Sequence, residues 1–151
     1  MRPDGIHHIT AITGDAPGTV DFYARVLGLR LVKKTVNYDD PGVYHLYFGD
    51  EDGLPGSILT FFEIPGAAPG RPGAGQFHTI TWRVQDEDAL AFWAGRLASA
   101  GVTATRQGGA ALAFTDPEGM ALRIAVAPGG CAGAGHPEVP AAHALRGFAA
   151  V

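Results

Sequence analysis

Several features that would mark particular protein classes are missing from this sequence of 151 residues. Its one cysteine, Cys131, has no second cysteine with which to form an internal disulfide. No apolar run approaches the roughly 20 residues that a membrane-spanning helix needs. The net charge of −4 gives no electrostatic reason to expect binding to nucleic acid or to an anionic membrane. These absences favour a soluble globular protein that binds neither nucleic acid nor a membrane.

The first residues, Met1-Arg2-Pro3-Asp4, also lack the hydrophobic segment of a secretory signal, so we expect a cytoplasmic protein. The length suits one domain with a substantial core, and the apolar content of 46% is that of a soluble globular chain. The 22 glycines and 11 prolines predict many turns and few long helices.

One order of elements occurs twice along the chain, which predicts an internal repeat. Hydrophobic periodicity predicts a strand, a helix and three strands at 6–12, 15–27, 29–36, 43–48 and 57–64. The same order follows at 77–84, 86–100, 102–106, 110–115 and 120–126. The fold class predicted from this order is α+β, with two tandem βαβββ modules that form a curved mixed sheet.

The predicted modules are residues 5–64 and 77–127, and the Gly/Pro-rich residues 65–76 form a linker between them. In the repeat, His8 is aligned with His78. Residues 128–151 are predicted to be a flexible tail whose apolar end resembles the start of a third module. In that comparison Ala150 stands at the position of a histidine.

The segment Gly5-Ile6-His7-His8-Ile9-Thr10 and the turn Asp116-Pro117-Glu118-Gly119 resemble the vicinal oxygen chelate superfamily, the glyoxalase/bleomycin-resistance/dioxygenase fold. Within it, Lys33-Lys34-Thr35-Val36-Asn37-Tyr38 and His45-Leu46-Tyr47-Phe48-Gly49-Asp50 look like hydroquinone-type ring-cleaving extradiol dioxygenases. Those enzymes are usually about twice as long, with four modules, and this chain is similar to their N-terminal half.

The resemblance implies a site for Fe(II) or Mn(II) held by two histidines and a carboxylate, which leaves positions open for O₂ and an aromatic diol. It makes His8 the best ligand candidate, and His78, which the repeat aligns with His8, is the second candidate. His7 and Thr10 match positions that bind or deprotonate the substrate. The long enzymes take their other ligands from a module that this chain lacks.

Two positions depart from the superfamily pattern, in which the last strand of a module can carry a glutamate ligand. Thr60 and Arg123 stand at these positions, and neither is a carboxylate. Arg123 would oppose a nearby cation but could bind an anionic or phenolate substrate. The residues proposed to line a substrate pocket are Tyr38, His45, Tyr47, Thr60, Phe62, Trp82 and Arg123.

The same residues could instead have only a structural role. A histidine in a strand is more often structural than a metal ligand, and aromatic residues in strands usually belong to the core. The hypothesis favoured here is a metal-dependent dioxygenase-like protein for hydroquinone- or catechol-type aromatics. Its site would be completed by a second chain, either in a homodimer or as a separate C-terminal half. The alternatives are a metal-free, bleomycin-resistance-like binding protein for a small aromatic ligand, and an inactive half of a four-module dioxygenase.

Overall fold

Two mixed β-sheets form the framework of the protein in a computed structural model that describes residues 5–151. The first sheet contains β1 (His8–Thr13), β2 (Arg30–Val36), β3 (Tyr44–Gly49) and β4 (Ile58–Glu63). The second contains β5 (Thr79–Val84), β6 (Thr105–Gln107), β7 (Ala111–Thr115), β8 (Ala121–Val126) and β9 (Phe148–Ala150). The helical elements are α1 (Ala16–Val20), a π-helical segment (Asp21–Val26), α2 (Glu87–Ser99) and a 3₁₀ turn (Ala141–His143).

The strand order shows the repeat. The first sheet runs β1-β4-β3-β2 and the second runs β6-β7-β8-β5-β9. In each module the first strand lies parallel to the last, while the other neighbours are antiparallel. The α+β class and two modules are therefore confirmed, although the strands form two mixed sheets and not one. Within residues 5–151, no helix has the length and apolar character required to cross a membrane.

The first helical region is short because local signals fix both of its ends. The Asp15 carboxylate accepts the backbone N–H of Gly18 at 3.1 Å and caps α1. The predicted single helix changes to a π-helical segment, in which the Leu27 N–H donates to the Phe22 carbonyl at 2.9 Å. Gly28 then ends the segment with a φ of +67°, in the left-handed region that favours glycine.

The strand registers correct the predicted alignment of the histidines. Thr10 is paired with Thr60, and Thr81 is paired with Arg123, so Thr10 and Thr81 are equivalent. The ends of β1 and β5 support the same equivalence. The Thr13 carbonyl accepts the N–H of the residue after β4, and the Val84 carbonyl accepts the N–H of the residue after β8. His8 is therefore equivalent to Thr79, and His78 is equivalent to His7. The prediction was wrong by one residue, because two adjacent histidines leave the alignment ambiguous.

One core joins the modules. Alternate strand residues point towards the helices and are almost fully buried, among them Leu59, Phe61, Trp82, Leu122 and Ile124. Across the module boundary, the Tyr23 hydroxyl donates to the Asp116 carboxylate at 2.9 Å, and the Arg96 guanidinium donates to the Val26 carbonyl at 2.8 Å. The two sheets thus share apolar contacts and buried hydrogen bonds.

The C-terminal residues are not the flexible tail that their composition predicts. Val139, Leu145 and Phe148 are buried in the core, and β9 pairs antiparallel with β5. The Phe148 ring packs on the Trp82 ring with centroids 4.6 Å apart. Residues 128–151 are therefore ordered, and their many Gly and Pro residues form tight turns as the segment crosses the core.

Candidate functional site

The face of the first sheet opposite the core carries most of the predicted site residues, and we call it the first open face. Cross-strand partners share a face, so the registers define its members. They are Lys33 and Thr35 on β2, His45 and Tyr47 on β3, Ile58, Thr60 and Phe62 on β4, and His8, Thr10 and Ile12 on β1.

A polar group lies at the β1 end of this face. The Thr60 hydroxyl donates to the Thr10 hydroxyl at 3.0 Å, which joins β4 to β1 above the sheet. The His8 Nδ1 lies 3.1 Å from the His7 Nδ1, and both rings are exposed. The prediction that His8 and Thr10 share a face is confirmed by their exposure, since Ile9 between them packs against the core.

An aromatic stack occupies the middle of the first open face. The His45 ring lies between the rings of Tyr47 and Phe62, with centroid separations of 4.2 and 3.9 Å. The Tyr47 hydroxyl is 2.9 Å from the His45 Nδ1, and the Lys33 ammonium is 5.7 Å from the centre of the Tyr47 ring. A β-bulge between Leu31 and Lys33 turns the exposed Lys33 side chain onto this face.

The environment of His45 favours its neutral form. Burial of the ring, followed by the nearby charges of Lys33 and His8, lowers the pKa of His45. Its Nε2 atom is buried and has no hydrogen-bond partner. In a neutral imidazole one ring nitrogen can donate a hydrogen bond and the other can accept one. The unpaired Nε2 of His45 is therefore able to form a hydrogen bond with, or exchange a proton with, a phenolic ligand.

The carboxylates closest in sequence to Thr60 and Arg123 are Glu63 and Glu118, and both form hydrogen bonds that hold the backbone in place. Glu63 Oε1 accepts the backbone N–H of Ala16 at 3.0 Å and helps to cap α1. Glu118 Oε1 accepts the N–H of Gly14 at 2.8 Å, which ties the turn of the second module to the first. Both carboxylates satisfy backbone donors at the start of a helix or loop, so neither lies beside His8 as an anionic ligand.

A metal site of the implied kind requires three ligating side chains close together. Across residues 5–151, no three His, Cys, Asp or Glu side chains come together in a way that could hold a metal ion. His8 belongs to the first sheet, whereas His78 stands beside the second. The donor set that residues 5–151 offer therefore does not fit a complete Fe(II) or Mn(II) site with two histidines and a carboxylate.

The second sheet has its own open face, which we call the second open face. It forms one side of a shallow cavity of about 500 Å³ lined by His78, Thr79, Thr81 and Arg123, among others. The Arg123 Nε is buried without a hydrogen-bond partner. Small residues, Ala113 and Ala121 among them, leave the room for this cavity.

Two predicted pocket residues lie elsewhere. Trp82 is fully buried with its side chain on the core side of β5, because strand alternation gives Thr81 and Arg83 the open side. Tyr38 is 96% exposed in the turn after β2 and lines neither open face. The remaining pocket candidates divide between the faces, with His45, Tyr47, Thr60 and Phe62 on the first and Arg123 on the second.

Comparison with known proteins agrees with this architecture. A protein-family model described as the Glyoxalase/Bleomycin resistance protein/Dioxygenase superfamily matches residues 5–124. Among solved structures, a "putative dioxygenase" from Bacillus subtilis subsp. subtilis str. 168 superposes with a TM-score of 0.87 at 48% sequence identity. That match covers 95% of this chain and 47% of the other.

Two sequence relatives extend the comparison. The "Putative ring-cleaving dioxygenase MhqO" of Bacillus subtilis (strain 168) is 54% identical over 123 residues, which is 80% of this chain and 39% of MhqO. The chlorohydroquinone/hydroquinone 1,2-dioxygenase of Sphingobium indicum is 40% identical over 156 residues, 97% of this chain and 48% of that enzyme. This chain therefore spans less than half the length of these relatives. It belongs to the glyoxalase/bleomycin resistance protein/dioxygenase superfamily.

Proposed function

We propose that the first open face binds a hydroquinone- or catechol-type aromatic ring and forms one part of a ring-cleaving, metal-dependent dioxygenase site. A second chain completes that site. The observation that carries the proposal is the convergence of the exposed His8, the Thr10–Thr60 hydroxyl pair and the His45 stack on one face. Similarity to a chlorohydroquinone/hydroquinone 1,2-dioxygenase supports the choice of ligand.

The chemistry of the face suits a dihydroxylated ring. Tyr47 and Phe62 offer aromatic surface against which a ring can stack. The exposed Thr10 hydroxyl accepts from the buried Thr60 hydroxyl and can donate its own proton to a phenolic oxygen, and the Lys33 ammonium favours the phenolate form. Orientation of the ring and stabilisation of its anion are thus supplied by side chains of this one chain.

In the completed site His8 is the residue that would bind Fe(II) or Mn(II), which would bring O₂ and the diol together. Within residues 5–151, Glu63 and Glu118 already accept backbone N–H groups, so the proposal takes the carboxylate ligand from the second chain. The Thr60 hydroxyl, at the position of a family glutamate, contributes hydrogen bonding and no charge.

The test measures metal content and oxygen uptake on the same preparation. Protein purified anaerobically without chelator is analysed for iron and manganese, and oxygen consumption is then followed with hydroquinone, chlorohydroquinone and catechol. We expect about one metal ion per site and substrate-dependent oxygen uptake. Metal-free protein that consumes no oxygen after addition of Fe(II) would contradict the enzymatic proposal.

A second function is favoured by one specific observation, the missing set of three ligating side chains within residues 5–151. On this reading the chain is a metal-free binding protein that sequesters a small aromatic molecule, in the manner of bleomycin-resistance proteins. The discriminating measurement is a thermal shift with hydroquinone in the presence and absence of EDTA. Stabilisation that EDTA leaves unchanged favours the binding protein, and stabilisation that EDTA abolishes favours the dioxygenase.

A further inference from the structure

Arg123 differs from the other arginines that lie on strands and helices of residues 5–151, because it has no partner. The arginines that donate to a carboxylate or to a backbone carbonyl are Arg25, Arg30, Arg83, Arg96, Arg106 and Arg146. Within the same residues, Arg123 forms neither a hydrogen bond nor an ion pair, although its Nε is buried. A guanidinium carries five N–H donors, so a partly buried one without acceptors is costly unless a ligand supplies them.

Arg123 stands in the middle of the second open face, since β8 lies between β7 and β5. Strand pairing sets it beside Thr81 on β5 and Ala113 on β7, with all three side chains on the same face. Of the three guanidinium nitrogens only Nε is buried, so the two Nη nitrogens are open to the cavity. This end of the guanidinium presents parallel N–H groups that can bind both oxygens of a carboxylate.

The cavity lining offers hydrogen-bond donors and apolar surface but no acidic side chain. Its polar members are Gln76, His78, Thr79, Thr81, Gln107 and Arg123, and neither aspartate nor glutamate is among the lining residues. Phe77 also lines the cavity, is 85% exposed and is left out of the core. A phenyl ring in this position supplies a surface on which a flat ligand can stack.

We infer that the second open face is a separate binding site for a small organic acid, whose carboxylate is held by Arg123. One positive charge balances one carboxylate but only part of the charge of a phosphate dianion. The alanines of the sheet and the Phe77 ring favour an acid with a flat apolar body. The inference does not depend on the proposed function, which places a hydroquinone-type ring on the first open face.

Benzoate is a suitable probe because it joins a carboxylate to a flat apolar ring. Its binding to the whole chain is measured by calorimetry, with benzamide as the uncharged analogue and inorganic phosphate as an anion without a ring. We expect saturable benzoate binding with a Kd of about 1 mM or lower. Benzamide and phosphate should each bind at least about 10-fold more weakly, because each lacks one of the two recognised features.

Substitution of Arg123 tests the assignment directly. Arg123→Gln removes the charge but keeps a polar side chain, and it should weaken benzoate binding at least about 10-fold. Arg123→Lys keeps the charge without the planar fork and should give an intermediate Kd. The matched control is Arg71→Gln, which removes the same charge from an exposed arginine outside the cavity and should leave the Kd unchanged.

A structural role for Arg123 is separated from ligand binding by thermal unfolding without benzoate. Because Arg123 has no partner to lose, Arg123→Gln should unfold at a temperature no lower than that of the unmodified chain. A lower unfolding temperature together with an unchanged Kd for benzoate would make Arg123 a structural residue and contradict the inference.

Three further results would overturn it. They are the absence of saturable benzoate binding, an equal benzoate Kd in Arg123→Gln and the unmodified chain, and tighter binding of phosphate than of benzoate. Tyr47→Ala separates the two faces, because it removes a ring of the stack on the first open face. A benzoate Kd that rises in Tyr47→Ala but not in Arg123→Gln would place benzoate on the first face.

The outcome is independent of the proposed oxygen chemistry. Benzoate binding that is lost in Arg123→Gln supports this site whether or not the chain consumes oxygen with hydroquinone. A chain that consumes oxygen but binds no benzoate would support the proposed function and remove the second site.

Discussion

The two open faces are built on equivalent backbone positions but carry different side chains. The first carries His45, Tyr47 and Phe62 as an aromatic stack, and the equivalent positions of the second are all alanine. Those positions are Ala111, Ala113 and Ala125. His8 and Thr10 on β1 correspond to Thr79 and Thr81 on β5, and the neutral Thr60 corresponds to the cationic Arg123.

The core faces of the two sheets do not diverge in this way. Both present apolar side chains to the helices, because every module must bury one face whatever its function. The open faces are free of that requirement and can take on different tasks. The comparison teaches that the modules share a scaffold, and that the aromatic stack around His45 belongs to the first open face and is replaced by alanines on the strands of the second.

The largest effect is expected from removing His8. The variant His8→Ala should lower the rate of oxygen uptake with hydroquinone about 100-fold or more, because His8 is the metal ligand of the proposed site. The matched control is Thr79→Ala, which truncates the equivalent residue of the second sheet and should keep at least half of the activity. Equal losses in the two variants would break the distinction between the faces.

A second prediction concerns the hydrogen bond that joins the modules. Burial raises the pKa of the Asp116 carboxyl, and burial together with the charge of Asp116 raises the pKa of Tyr23. The variant Tyr23→Phe should lower the free energy of unfolding by about 1–2 kcal/mol, since the buried Asp116 loses its hydroxyl donor. Tyr38→Phe makes the same chemical change at a residue that is 96% exposed, and should stay within about 0.5 kcal/mol of the unmodified chain in urea denaturation.

The sequence predicted the repeat and the fold well because strand alternation, capping residues and glycine-terminated helices are local signals. It predicted the sharing of a face by His8 and Thr10 for the same reason. Other features depend on contacts between distant residues. Strand alternation separates Trp82 from Thr81, but contacts such as that with Phe148 decide which of the two faces is buried. The order of residues 128–151 likewise follows from contacts with the core. The position of Lys33 follows from a bulge, which shifts strand alternation by one residue and leaves no simple sequence pattern.

A third prediction sharpens the comparison by exchanging equivalent residues between the faces. Tyr47→Ala gives the first face the residue found at the same place in the second, and it removes one ring of the stack. We expect the Kd for hydroquinone to rise roughly 2- to 12-fold, the equivalent of about 0.5–1.5 kcal/mol of aromatic contact. Arg123→Thr makes the converse exchange and should leave the Kd unchanged. A weaker affinity after Arg123→Thr, measured by calorimetry, would move the ligand to the second face.

The smallest effect should appear in the pH dependence of stability at His45. The folded-state pKa of His45 is lowered from its ordinary value of 6.5, chiefly by burial of the ring. The stability that depends on the neutral ring is therefore fully present above about pH 6.5 and is lost as the pH falls through the lowered pKa. His45→Phe keeps a ring between Tyr47 and Phe62 but cannot bind a proton.

The unmodified chain should consequently lose stability relative to His45→Phe between pH 7 and pH 5, by about 1 kcal/mol or less. The measurement is the free energy of unfolding in urea at several pH values. Tyr47→Phe serves as the control, because it retains the histidine and the stack while removing the hydroxyl that contacts Nδ1. If the curve of His45→Phe runs parallel to that of the unmodified chain, the ring of His45 is solvated in solution. The stack would then be too open to hold an aromatic ligand against Tyr47 and Phe62.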